Sequence, residues 1–85
     1  MRVLIPSALQ SYTGTSWVQA EGRTVAEVLG DLERQYPGIR FRMVDEQGAI
    51  RRHMRIFWKR EMVFDLATPL DTDGELMIVQ ALSGG

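Results

Sequence analysis

The sequence predicts an α+β domain, a mixed sheet of four to five strands with one helix crossing one face. Three observations carry this. Short β-branched and aliphatic runs stand near both ends of the chain, one segment between them has helical periodicity, and Gly- or Pro-containing turns separate the pieces.

Arg2 to Ile5 is the first strand-like run, ended by Pro6, and Ser16 to Ala20, with Trp17 and Val18, is the second, ended by Glu21-Gly22. The turn-rich Ser11-Tyr12-Thr13-Gly14-Thr15 between them predicts a hairpin with a longer loop than the two-residue kind. Thr24 followed three residues later by Glu27 reads as a capping box, and Val25, Val28, Leu29, Leu32 and Tyr36 recur at helical spacing. The helix should stop at Tyr36, because Pro37 disfavours helical geometry in the residue before it and Gly38 can take a left-handed cap. Residues 39–50 read as irregular, with a turn at Gly48. Met54 to Trp58 is a strand, Glu61 to Phe64 a short one, Asp71-Thr72-Asp73-Gly74 a turn, and Glu75 to Leu82 the last strand. The order β-β-α-β-(β)-β describes the β-grasp, or ubiquitin-like, architecture. Residues 1–82 form this domain and residues 83–85 a flexible Ser-Gly-Gly tail.

Alternation assigns the last strand's faces. Leu76 and Ile78 should point to the helix, leaving Met77, Val79 and Ala81 on the opposite side. The helix covers one face only, so Met77 and Val79, joined by Leu4 and Phe57, form an expected docking surface; the reverse register would bury them instead.

Eighty-five residues make one domain with a small core, and 45% hydrophobic with 25% charged residues is an ordinary globular balance. The absence of cysteine removes disulfides, thiolate nucleophiles and Cys-based metal sites. No run approaches membrane-spanning length, and the apolar stretch before Pro6 is too short for a signal peptide, so the expectation is a soluble, cytoplasmic protein. The net charge of −1 is unevenly spread: Arg40, Arg42, Arg51, Arg52, Arg55, Lys59 and Arg60 against Asp45 and Glu46 make residues 40–60 +5, leaving −6 elsewhere. Aromatic residues are not interleaved through that run as stacking on nucleic acid requires, so it reads as a solvated face.

No catalytic constellation is visible. His53 is the single histidine and lies between arginines, which favours a surface role. Asp71, Asp73 and Glu75 lack the length and final Glu of a calcium loop, and no phosphate-binding glycine motif occurs. The chain instead ends in Gly84-Gly85, a slim backbone carrying a free carboxylate that a narrow active site can admit.

Taken in order, Ile5-Pro6-Ser7-Ala8-Leu9, Tyr12-Thr13-Gly14, Thr24-Val25 with Leu29 and Leu32, Tyr36-Pro37-Gly38-Ile39, Pro69-Leu70, Asp73-Gly74-Glu75 and Ser83-Gly84-Gly85 resemble the MoaD/ThiS family of ubiquitin-like sulfur carriers, most nearly its CysO-type members. The resemblance covers nearly the whole chain. It implies a carrier rather than an enzyme: an ATP-dependent, E1-like enzyme adenylates the Gly85 carboxylate, and sulfur replaces the adenylate to give a thiocarboxylate. Gly85 would be the reacting residue, Gly84 its slim neighbour, and Leu4, Phe57, Met77, Val79 and Ala81 the face gripped by the activating enzyme and by a sulfur-accepting biosynthetic enzyme. No cofactor or metal bound by this chain is implied, and with Gly85 already last no maturation protease is required. The chain departs from the family pattern at Lys59-Arg60, where an Asn is usual, and at Gln80-Ala81-Leu82, where a Pro-rich pair is usual. Cysteine, molybdopterin, thiamin and specialised metabolites all stay open as destinations. Three other readings remain, a protein modifier conjugated through Gly85, a β-grasp interaction module with an inert tail and, weakest, RNA binding through the Arg51 to Arg60 face.

Overall fold

A computed structural model describes residues 1–71 and 74–81. Five strands, β1 Arg2–Leu4, β2 Trp17–Gln19, β3 Met54–Trp58, β4 Glu61–Val63 and β5 Glu75–Gln80, form one sheet in the order β2-β1-β5-β3-β4. β1 runs parallel to β5 and antiparallel to β2, while β3 is antiparallel to both β5 and β4. This is the mixed sheet expected, with the last strand at its centre.

The helix α2, Val25–Gln35, crosses one face. Its start is built locally: Thr24 Oγ1 accepts from the Glu27 N–H at 3.2 Å, and Glu27 Oε1 accepts in return from the Arg23 N–H at 2.9 Å, one residue before the usual partner. Val25, Val28, Leu29 and Leu32 are fully buried, as their spacing requires. They meet two inner rows of the sheet, Val18-Val3-Leu76-Trp58 and Ile78-Ile56-Val63, read directly from the strand register. The core contains no buried polar or charged residue among those described, so its stabilisation is almost wholly apolar transfer and packing.

Two segments differ from expectation. The Ser11 to Thr15 loop is not simply turn-rich: a 3-10 turn, Ser7–Leu9, leads into one α-turn, α1, Gln10–Thr13. Leu9 inserts into the core from it, and Gln10 Nε2 donates to the Ile5 carbonyl at 3.1 Å, tying the helical turn to the end of β1. Residues 39–50 also contain a short helix, α3, Ile39–Met43. Five residues cannot nucleate a helix alone. Here Gly38 takes φ 98°, and the Glu33 carboxylate of α2 accepts from the N–H groups of Gly38 and Arg40 at 2.9 and 3.0 Å. Those bonds hold the Glu33 carboxyl below its ordinary value, the Gly38 bond most. Ile39 and Met43, four apart, then fill the core.

The expected turn at Gly48 is present, closed by Asp45, whose side chain accepts from the Gln47 and Ala49 N–H groups. Strand ends are one residue shorter than expected in several places, and β5 stops at Gln80. Thr72 and Asp73 of the expected turn, the end of the last strand at Leu82 and the 83–85 tail lie outside the described residues.

β3 and β4 are joined by a two-residue turn in which Lys59 and Arg60 both have positive φ, 51° and 71°. That is type I′ geometry, normally the place of Asn-Gly. Lys59 is held there by Asp71, at 2.8 Å.

Candidate functional site

The central position of β5 sets the site. Parallel pairing with β1 and antiparallel pairing with β3 fix the strand on both sides, and the Ala81 N–H donates to the His53 carbonyl at 2.8 Å. The chain is therefore anchored up to Ala81. Gly84 and Gly85, the expected reacting residues, lie outside the described residues.

Around the point where β5 ends, α1 and α3 supply polar side chains. A depression of about 300 Å³ is bordered by Ser11, Tyr12, Arg42, His53, Met54 and Gln80. Arg42 Nε donates to the Tyr12 hydroxyl at 3.1 Å, a bond that reinforces the guanidinium's charge. His53 is exposed, in keeping with a surface histidine. Among the described residues no three His, Cys, Asp or Glu side chains are grouped to hold a metal ion. Asp71 instead pairs with Lys59, and Glu75 with Arg2 at 2.7 Å.

The outer sheet face follows the expected register. Leu76 and Ile78 are fully buried, whereas Met77, Val79 and Ala81 are partly accessible. Leu4 and Phe57 stand directly opposite Met77 on the two neighbouring strands. Val79 lies opposite Arg55 in the next row. Leu4, Phe57, Met77 and Val79 are thus brought to one side of three adjacent strands, and Ala81 follows directly after β5.

Two members of the row were not expected, Trp17 opposite Leu4 and Met62 opposite Phe57. They extend it across all five strands as Trp17-Leu4-Met77-Phe57-Met62. Their signal was present in the alternation of each short strand, since Val18 and Val63 point inward beside them. At one border the Arg2 guanidinium stacks on Trp17, 4.1 Å from its ring centre, while bonded to Glu75. At the other, Arg55 folds back to donate to the carbonyls of Arg52 and Met54 at 2.7 and 2.9 Å. The result is an apolar stripe with charged margins. No helix among the described residues is long and apolar enough to cross a membrane.

Comparison with known proteins agrees with this geometry. The chain is 35% identical to the sulfur carrier protein CysO of Mycobacterium tuberculosis, over 98% of this chain and 96% of the relative. The crystal structure of M. tuberculosis CysO superposes with a TM-score of 0.89 at 33% identity, covering 95% of this chain and 98% of that one. A chain of the Amycolatopsis orientalis BexX/CysO complex does so with a TM-score of 0.89 at 32% identity, covering 99% and 98%. The ThiS family model matches residues 3–85, and with a β-grasp sheet whose central strand leads toward Gly84-Gly85, the chain belongs to the ThiS family.

Proposed function

We propose that this protein is a sulfur carrier, activated at Gly85 by an E1-like adenylating enzyme and charged there with sulfur for delivery to a biosynthetic enzyme. The observation that carries the reading is the family match, which extends through Gly84 and Gly85. A carboxylate is a poor acyl donor. Attack of the Gly85 carboxylate on the α-phosphorus of ATP releases pyrophosphate and leaves an acyl-adenylate; a sulfide-level donor then adds to the acyl carbon and expels AMP, leaving the thiocarboxylate.

This chain's contribution is reach and recognition. The four residues beyond Ala81 span at most about 13–14 Å when fully extended, so the folded body must sit at the mouth of any active site that Gly85 enters. Side-chain-free Gly84 lets the backbone enter a narrow channel. The stripe containing Leu4, Phe57, Met77, Val79 and Ala81 supplies the docking area, and β5, which carries part of it, is the strand that precedes the tail. Adenylation and sulfur transfer are assigned to the partners, with ATP as the activating enzyme's substrate.

The test is intact mass spectrometry of the protein coexpressed with a cognate adenylating enzyme, with fragmentation to locate any change. An oxygen-to-sulfur exchange at Gly85, lost when Gly85 is deleted, is expected. An unmodified Gly85 in the presence of a competent enzyme, or normal activation of the deletion variant, overturns the reading. Covalent adducts to lysines of other proteins would instead mark a modifier.

A further inference from the structure

We infer that an arginine-lined groove beside β4, which continues the apolar stripe past Met62 and Arg55, is a docking surface that receives an acidic protein segment bearing an apolar side chain. The groove, about 530 Å³, is bordered by Ile50, Arg51, Arg52, Arg55, Met62 and Phe64. Its apolar wall is conspicuously unburied: Phe64 is 82% exposed and Met62 41%. Phe64 lies immediately after β4 and is unnecessary to the core, which closes at Val63. Large apolar groups left in water next to one another mark an interaction surface.

The arginines define the occupant's charge. The ion pairs among the described residues are Met1–Glu21, Arg2–Glu75, Arg34–Asp31 and Lys59–Asp71, so Arg51, Arg52 and Arg55 form no ion pair there, and only Arg51 feels a nearby carboxylate, that of Asp45. Two of the three are nonetheless fixed in place. Arg51 Nε donates to the Phe41 carbonyl at 2.7 Å while its guanidinium lies over the Phe41 ring, and Arg55 donates to the carbonyls of Arg52 and Met54. A guanidinium has five donors, so these contacts leave others for carboxylates while reducing the entropy lost on binding. Arg42 adjoins the same region through the neighbouring depression it shares with Phe41, Arg51 and His53, and its guanidinium extends the positive potential. β4 is an edge strand, so an extended segment can run alongside it. Nucleic acid fits less well, because Met62 and Ile50 give the wall aliphatic surface where stacked bases need successive aromatic rings.

The test is a nuclear magnetic resonance titration of the full ¹⁵N-labelled chain with the peptide acetyl-EDELFDE-amide. Saturable shifts are expected at residues 50–55 and 62–64, weakening as salt rises. Phe64→Ser and Arg52→Glu should each weaken binding about tenfold, and both sites are exposed enough for the native spectrum to persist. Deleting Gly85 should leave the affinity unchanged, which keeps the outcome independent of the sulfur-carrier reading. Absent or scattered shifts overturn the inference. So does an equal response to a peptide with Ser in place of Leu-Phe, which would reduce the groove to a non-specific positive patch, or tighter binding of oligoadenylate at the same amides, which would make it a nucleic-acid site.

Discussion

The two faces of β5 use the same backbone for different ends. Leu76 and Ile78 are fully buried against neighbours on β1 and β3, while Met77 and Val79, one residue away, stay partly accessible on the other side. Both faces are apolar, so hydrophobicity alone does not separate them. What separates them is α2, which covers one side of the sheet. The uncovered stripe persists because neighbouring side chains shield one another, and because Arg2 and Arg55 border it. One strand thus both closes the core and presents an apolar stripe on its uncovered side.

The largest break in that symmetry should come from paired truncations. Leu76→Ala is expected to destabilise the fold by about 2–5 kcal/mol, and Met77→Ala by less than about 1.5 kcal/mol, since only the first leaves a closed cavity. Chemical denaturation measures both. Equal losses would mean that the outer face is as much core as the inner one, and would remove the basis for reading it as a docking surface.

Gly74, at the entrance to β5, sharpens the comparison from the inner side. A Cβ built there would stand 2.5 Å from the Trp58 indole, inside contact distance. Gly74→Ala should therefore cost about 1–3 kcal/mol by overpacking, with reduced tryptophan burial visible in the fluorescence spectrum. An unchanged melting temperature and spectrum would show that Trp58 moves aside freely.

A smaller effect of opposite sign is expected at the β3–β4 turn. Replacing Lys59-Arg60 by Asn-Gly suits the positive φ angles at both positions. The gain is about 1 kcal/mol, offset in part by loss of the exposed Lys59–Asp71 pair. A measured destabilisation would show that this pair outweighs the backbone strain.

The mildest effect is titration. Glu33 is held below its ordinary value of 4.5 chiefly by the Gly38 N–H and then by that of Arg40. Asp31 and Asp45 are lowered from 3.8, chiefly by the backbone N–H groups of Glu21 and Ala49 respectively. Carboxyls lowered in the folded state bind protons more readily when unfolded. Their stabilisation is complete above the ordinary values and is lost as pH falls through the lowered ones. Stability should thus be flat above about pH 5 and decline below it, and Glu33→Gln should flatten part of that decline. An unchanged acid limb would mean that Glu33 does not cap α3.

Much was legible where the controlling interactions are close in sequence. The α2 helix was readable because its cap, apolar period and Pro37-Gly38 stop lie within fifteen residues, Thr24 to Gly38. The split between Leu76/Ile78 and Met77/Val79 followed from strict two-residue alternation. Gly84-Gly85 needed no fold at all to be noticed, being a property of the covalent chain.

The remainder depended on contacts between distant segments. α3 is too short to form by itself, and its start is secured by Glu33 from the preceding helix and by burial of Ile39 and Met43. Tyr12 and Arg42 are 30 residues apart yet share a hydrogen bond beside the end of β5. Trp17 and Met62 join Leu4, Met77 and Phe57 only because strand order places them in one row. The sequence by itself determined α2, the strands with their facing and the Gly-Gly end, because propensity, capping and periodicity act over a few bonds. Only the tertiary structure decided which faces meet, which stay open and which arginines gather without carboxylate partners, because those outcomes depend on how distant segments pack once the core excludes water.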